Sequence, residues 1–271
     1  MEADLQRRIQ RYGWDKAAMY YEKFWQKQLK PAQDRMLEIA RLLPGEKVID
    51  IACGSGLVSF RAAEQTGENG FVLANDISEG MIKLCRQIAA ERQISNIAFE
   101  RMDAENLEVN DNEYDAALCA LGLMYVPDPL KALKEMYRVL KPGGRAVALV
   151  WGQRDHCGWA DIFEIVDRRV SSEVCPLFFN LGNKDMLERN FDAADFSKLS
   201  SEKMNVDLEY DSDDDACGAA FAGGPVALAY NKFSEDVKEA VHAEYIDSIK
   251  AFKNKNTYLV PGEFVIVKGI K

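Results

Sequence analysis

Three acids stand at or near the ends of short apolar runs: Asp50 in VIDIACGSG (48–56), Asp76 in FVLAND (71–76) and Asp103 in RMDAENL (101–107). The first run passes straight into a turn carrying Gly54 and Gly56 and then into a helical pattern. Glycines there allow positive φ and let ligand atoms approach the backbone, and the helix that follows offers free N–H groups. That pattern suits a nucleotide-type ligand, although a Gly-x-Gly turn also serves simply to pack a helix on a strand. A carboxylate at Asp50 repels phosphate and suits an ammonium. A carboxylate at Asp76 can accept hydrogen bonds from ribose hydroxyls, or it can be an N-cap or turn residue. Asp103 is placed to accept from an adenine amino group. All three tips point to the crevice where parallel sheets bind ligands.

Several chemistries are excluded by what is missing. A dinucleotide fingerprint needs glycine where Ser59 follows Gly54 and Gly56, and no G-K-[ST] exists for a phosphate loop. Six cysteines, at 53, 85, 119, 157, 175 and 217, form no C-x-x-C pair. Only His156 and His242 could join them, so no zinc site is expected. Cys85, Cys119 and Cys217 lie in apolar stretches and read as buried hydrophobes. Neither histidine follows a nucleophile elbow. The formal charge of −10, from 34 basic and 44 acidic residues, disfavours nucleic acid. The longest nearly uncharged apolar run, 116–126, is about half a membrane span. The opening MEADLQRRIQ carries no export pattern, so a cytoplasmic protein is expected.

The elements that must carry these residues read as an α/β alternation. Residues 1–43 read as helix, with Pro31 starting a second helix and Pro44-Gly45 stopping it. Runs at 47–52, 71–76, 96–101, 114–121 and 144–150 alternate with helical patterns at about 57–64, 79–92 and 129–140. Five apolar strands so separated predict a parallel sheet covered on both faces. Further on come helices around 158–171 and 184–190, a strand at 204–210 and an acidic run, Asp211–Asp215, read as a solvated turn. A helix at 233–252 and a closing strand at 263–269 follow, with about fifty residues between the last two strands. That spacing suggests a lid or substrate wall.

In combination, VIDIACGSG, NDISEGMI (75–82), MDAENL (102–107), YDAALCALGLMYVPDP (114–129) and ALKEMYRVLKPGGRAVALVWG (132–152) resemble the class I S-adenosylmethionine-dependent methyltransferases, and within them the UbiE-like group of ubiquinone and menaquinone methylation. The resemblance implies an α/β, Rossmann-like doubly wound sheet of seven strands with the last antiparallel. It implies one domain over 1–271: a helical cap (1–43), a cofactor-binding core (44–152), a substrate-side insertion (211–260) and the last strand (263–269). Asp50, Ala52, Gly54 and Gly56 would hold the methionine part of the cofactor and Asp76 the ribose. Ile77 and Met81 would flank the adenine, Asp103 and Ala104 would meet its amino edge, and Ala120 and Leu121 would line the sulfonium. Tyr21, in a dense N-terminal aromatic set with Trp14, resembles the tyrosine of a closing lid. Ala52 stands where glycine is more usual, at little cost if its φ is negative. Met124 and Tyr125 stand where quinone-type members often carry histidine, which removes imidazole base chemistry at that position.

The expected activity is methyl transfer from S-adenosyl-L-methionine, leaving S-adenosyl-L-homocysteine, to oxygen, carbon or nitrogen of a small-molecule acceptor. In-line displacement with a neutral leaving group needs positioning and desolvation more than a dedicated base, so no catalytic residue is assigned. AFAGGPVALAY (220–230) and TYLVPGEFVIVKG (257–269) suggest a mostly nonpolar acceptor pocket, closed by residues 1–30 and 210–260. A non-catalytic interaction module on the same fold and a nicotinamide oxidoreductase are the competing readings. The acceptor and the oligomeric state are left open.

Overall fold

A computed structural model describes residues 3–170 and 177–271; Cys175 and the end of the expected 158–171 helix lie outside them. The chain opens with α1 (Ala3–Ala40), followed by β1 (Lys47–Ile51), α2 (Ser59–Thr66), β2 (Phe71–Asp76), α3 (Glu79–Glu91), β3 (Ile97–Arg101) and β4 (Tyr114–Ala120). Next come α4 (Pro129–Val139), β5 (Leu140–Trp151), α5 (Asp161–Asp167), α6 (Met186–Ala193) and β6 (Ser197–Tyr210). The chain ends with α7 (Asp213–Cys217), α8 (Ala227–Tyr230), α9 (Glu235–Ile249), the two-residue β7 (Lys253–Asn254) and β8 (Thr257–Ile270).

The strands lie in the order β3-β2-β1-β4-β5-β8-β6, with β7 paired to β8. Strands β1 to β5 are parallel, and β8 runs antiparallel to both β5 and β6. Seven principal strands with the last antiparallel match the expectation, and β7 adds an eighth. The chain builds outward from β1 to β3, then returns to β4 on the other side of β1. Between β1 and β4 the winding reverses, and there open α/β sheets form a crevice at their carboxyl ends. Val48, Ile49 and Ile51 of β1 and Ala116 to Cys119 of β4 are buried, as strands covered on both faces must be. Helix α3 begins where the Ser78 hydroxyl accepts the Met81 N–H at 3.1 Å, and α4 where Asp128 accepts the Lys131 N–H at 3.0 Å ahead of Pro129.

Three expectations are corrected. Pro31 does not start a helix, because α1 runs through it unbroken. An interior proline ordinarily costs roughly 3 kcal/mol. Here its ring faces solvent, while Leu29, Ala32, Met36 and Leu37 around it are buried in the core and hold the helix together. The acidic run is not a plain turn: Asp213–Asp215 form the first turn of α7, where Ser212 accepts the Asp215 N–H and negative charge is favourable. Strand β6 starts at Ser197, seven residues before the expected edge, and has a register shift between Ser197 and Ser200. Its burial alternates as an edge strand's does, so the apolar signal fades in its first half.

Candidate functional site

A cleft lies over the carboxyl ends of β1, β2 and β4, and α1 crosses it. Tyr21, Asp50, Ala52, Gly54, Asp76, Ile77, Met81, Asp103, Ala104, Ala120 and Leu121 all line it. Gly56 does not: its φ of +83° turns the chain into α2, and a Cβ there would lie 2.7 Å from the Phe60 ring. Distant stretches meet here because parallel strands end together, a convergence that follows from the topology.

The floor of the cleft is polar. Asp50 is buried, and its Oδ2 accepts the Ser59 hydroxyl at 2.5 Å, but Oδ1 has no partner. Burial, with the nearby Asp76 charge adding to it, holds the Asp50 carboxyl up at about 7 against the Ser59 bond and the Arg61 charge. Next to it on β2, Asn75 is also fully buried, with neither its amide oxygen nor its nitrogen bonded. Native interiors seldom leave such groups unmet, and where they do a ligand is a standing explanation. Asp76 does part of the work of a turn residue: Oδ2 accepts the Gly54 N–H and Oδ1 the Ser78 N–H, both at 2.9 Å, tying the glycine loop to the start of α3. Two charged-group hydrogen bonds leave a carboxylate with further acceptor capacity. Burial raises its pKa while those bonds lower it.

Two tips carry backbone strain. Ala52 has φ +55° and Leu121 φ +62°. The condition under which Ala52 would cost little, a negative φ, is therefore not met, because the chain must turn sharply out of β1 directly beside Gly122. A Cβ on Gly122 would sit 2.4 Å from that of Ala52 and 2.9 Å from Cys119 Sγ. Left-handed non-glycine residues cost about 1–2 kcal/mol each and persist where the surroundings enforce them.

Helix α1 covers the cleft and is clasped to it. Asp15 accepts the Ser78 hydroxyl at 2.6 Å and the Gly80 N–H at 2.9 Å. The guanidinium of Arg7 pairs with Asp103 at 2.9 Å and with the buried Glu105 carboxylate. Gln6 donates to the Tyr125 carbonyl at 3.2 Å. Tyr21 stands over the glycine loop, its Cε1 3.8 Å from where a Gly54 Cβ would lie, and packs edge-on with Trp14 at 5.5 Å. Burial, and then the Asp76 charge, raise its phenol well above the ordinary tyrosine range.

Beyond Leu121 the wall turns aromatic. Trp25, Trp151, Trp159, Phe178, Tyr125 and Trp14 line this end with Met124 and Pro225. Trp151 and Trp159 approach to 4.8 Å, Tyr125 to 5.4 Å of Phe178 and 5.2 Å of Trp14. The indole N–H of Trp159 is buried with no partner. Of the stretches expected on the substrate side, 220–230 supplies Gly224 and Pro225, but nothing from 257–269 lines the cleft. That strand is consumed by pairing with β5 and β6, and its Glu263 holds His156 at 2.8 Å outside the cleft. His242 bonds Tyr230 at 3.0 Å and is likewise outside. Sequence reasoning missed Arg7, Gln10, Asn75, Trp151, Trp159 and Phe178. Asn75 alone left a local signal, as a polar residue inside a buried apolar run.

The fold and cleft define a doubly wound α/β protein with a ligand cleft at the carboxyl ends of its parallel strands. A family model described as a methyltransferase domain matches residues 42–155. A demethylmenaquinone methyltransferase of Geobacillus is 33% identical over 164 residues, 60% of this chain and 68% of the relative. One from Listeria monocytogenes is 35% identical over 134 residues, 49% of this chain and 56% of its own length, so the chain matches little more than half of that relative. The Haemonchus contortus phosphoethanolamine N-methyltransferase 2, solved with S-adenosyl-L-methionine, shares the fold at a TM-score of 0.64 and 16% identity, over 95% of this chain and 57% of that one. The chain belongs to the S-adenosylmethionine-dependent methyltransferases, in the UbiE-like group.

Proposed function

We propose that the protein transfers the methyl group of S-adenosylmethionine to a small organic acceptor. The observation that carries this reading is the orphaned Asp50 Oδ1, buried beside the unbonded Asn75 amide at the floor of the cleft. An ammonium satisfies a buried carboxylate oxygen with both charge and a donor, and an amino-acid terminus would meet the amide as well. Asp76 has acceptor capacity left for a ribose, and Ile77, Met81 and Ala104 give the apolar slot of an adenine. When bound, S-adenosylmethionine supplies a methyl group on a sulfonium, a leaving group that departs neutral.

The chain's own residues position and dry the site. Helix α1 lies across the cleft and narrows it through Trp14 and Tyr21. The aromatic end holds a flat, mostly apolar acceptor, and the Trp159 N–H can donate to an oxygen on it. Among the lining residues of that end, tyrosine is the only ionisable type, so orientation and desolvation carry the step and no general base is assigned. The quinone-type substrates in the relatives' names are compatible with such a wall. Calorimetric titration with S-adenosylmethionine and S-adenosylhomocysteine tests the reading: both bind, Asp76→Ala weakens both, and binding of neither at millimolar concentration would end it. An interaction module on the same fold would keep its partner binding in Asp76→Ala.

A further inference from the structure

The side of α1 turned away from the cleft has a character of its own. Leu5, Arg8, Tyr12, Lys16, Met19, Tyr20 and Lys23 are all exposed. At 100° per residue they fall in an arc of about 120°, running about 27 Å along the helix. Leu5, Tyr12, Met19 and Tyr20 are 43, 50, 85 and 45% exposed, and they are four of the seven large apolar side chains so exposed among the described residues. Over residues 3–30 seven Lys or Arg stand against three Asp or Glu, in a chain of net charge −10. Of the acids, Asp4 pairs with Arg7 of the same stretch, Asp15 holds Ser78 and Gly80, and Glu22 faces Arg92, while Arg7, Lys27 and Lys30 are paired with acids outside residues 3–30. Arg8, Lys16 and Lys23 make no ion pair among the described residues.

From this we propose that the outward face of α1 docks the protein on an anionic lipid surface. Basic groups interleaved with protruding Leu, Met and Tyr are the composition that binds such a surface, the charges drawn to head groups and the apolar side chains entering the acyl boundary. Charge complementarity selects the occupant. This face is locally basic in a chain of net charge −10, and a polyanion alone gives its four exposed apolar side chains no role. A second copy would set two faces of like charge against each other. The same helix lines the cleft with Arg7, Gln10, Trp14, Tyr21 and Trp25, so docking lays the cover of the site against the membrane surface, where an amphiphilic acceptor would be met.

The test is co-sedimentation of the full chain with vesicles of phosphatidylcholine alone or mixed equally with phosphatidylglycerol. We expect binding to the mixed vesicles only, weakened by high salt. Each basic group near such a surface is worth roughly fivefold, so Arg8→Ala/Lys16→Ala/Lys23→Ala loses about 100-fold and Lys16→Ala alone about fivefold. Met19→Ser/Tyr12→Ser weakens binding at unchanged charge. None of these residues lines the cleft, so homocysteine-product affinity and circular dichroism stay as in the parent protein. The proposal is overturned by equal binding to both vesicle types, by binding to neither, or by a basic-residue variant that binds like the parent. It is equally overturned if the Met19/Tyr12 variant binds unchanged, which marks a plain polyanion site, or if these variants instead abolish a dimer seen by sedimentation velocity.

Discussion

Replacing Asp50 with Asn removes one charge from the floor of the cleft while leaving an oxygen to accept the Ser59 hydroxyl, now 2.5 Å away. A hydrogen bond to a charged partner is worth about 1.5–3 kcal/mol, so Asp50→Asn should weaken S-adenosylhomocysteine binding by roughly 10- to 150-fold. The pH dependence is the sharper part. With the carboxyl held near 7, its ionised fraction rises from about 3% at pH 5.5 to one half at pH 7, so affinity in the parent protein tightens by roughly 15-fold across that interval. Asp50→Asn should show a flat profile. Ser59→Ala, which removes a bond favouring the charged form, should shift the profile to higher pH. Stability without ligand runs the other way. The folded state holds the Asp50 proton at pH values where the unfolded chain has lost it, so stability falls as pH rises from about 4 to 7 and an ammonium ligand restores it. Calorimetry at pH 5.5, 6.3 and 7 reads the first effect and thermal melts read the second. A pH-independent parent protein, or an Asp50→Asn variant of parental affinity, would refute the assignment.

Gly122→Ala drives a Cβ to 2.4 Å from Ala52 and should cost about 1–3 kcal/mol in denaturant unfolding. Adding Ala52→Gly should recover part of that loss, since it removes the nearer clash and the strain of an alanine at φ +55°; no recovery would mean that Cys119 is the controlling obstacle. Trp159→Phe keeps the ring and deletes the orphan N–H, so the KM of a naphthol-type acceptor should rise roughly twofold to tenfold with cofactor affinity unchanged. An equal rise for a ring lacking the oxygen would deny the hydrogen bond.

How legible each part was follows from the range of the interaction behind it. Strands β1 to β5 announce themselves through short, mostly apolar runs that alternate with helical patterns, and the tips Asp50, Asp76 and Asp103 come with them because the strands are parallel and end together. The first half of β6 stayed hidden, since an edge strand with one wet face lacks that signal. Pro31 misled for a related reason: its local cost is real, but burial of its neighbours outweighs it.

The sequence by itself determined the parallel strands of the sheet and the acids that stand at their ends, because these depend on local pattern, whereas the strand order and the crevice between β1 and β4 belong to the fold. Only the tertiary structure decided that Asp50 Oδ1 and the Asn75 amide are left unbonded, that Ala52 is left-handed, that Arg7 reaches Asp103, and that Trp151, Trp159 and Phe178 form the far wall. Each of those facts depends on which side chains from distant segments fill the same space, and packing, unlike periodicity, leaves no trace in the spacing of residues.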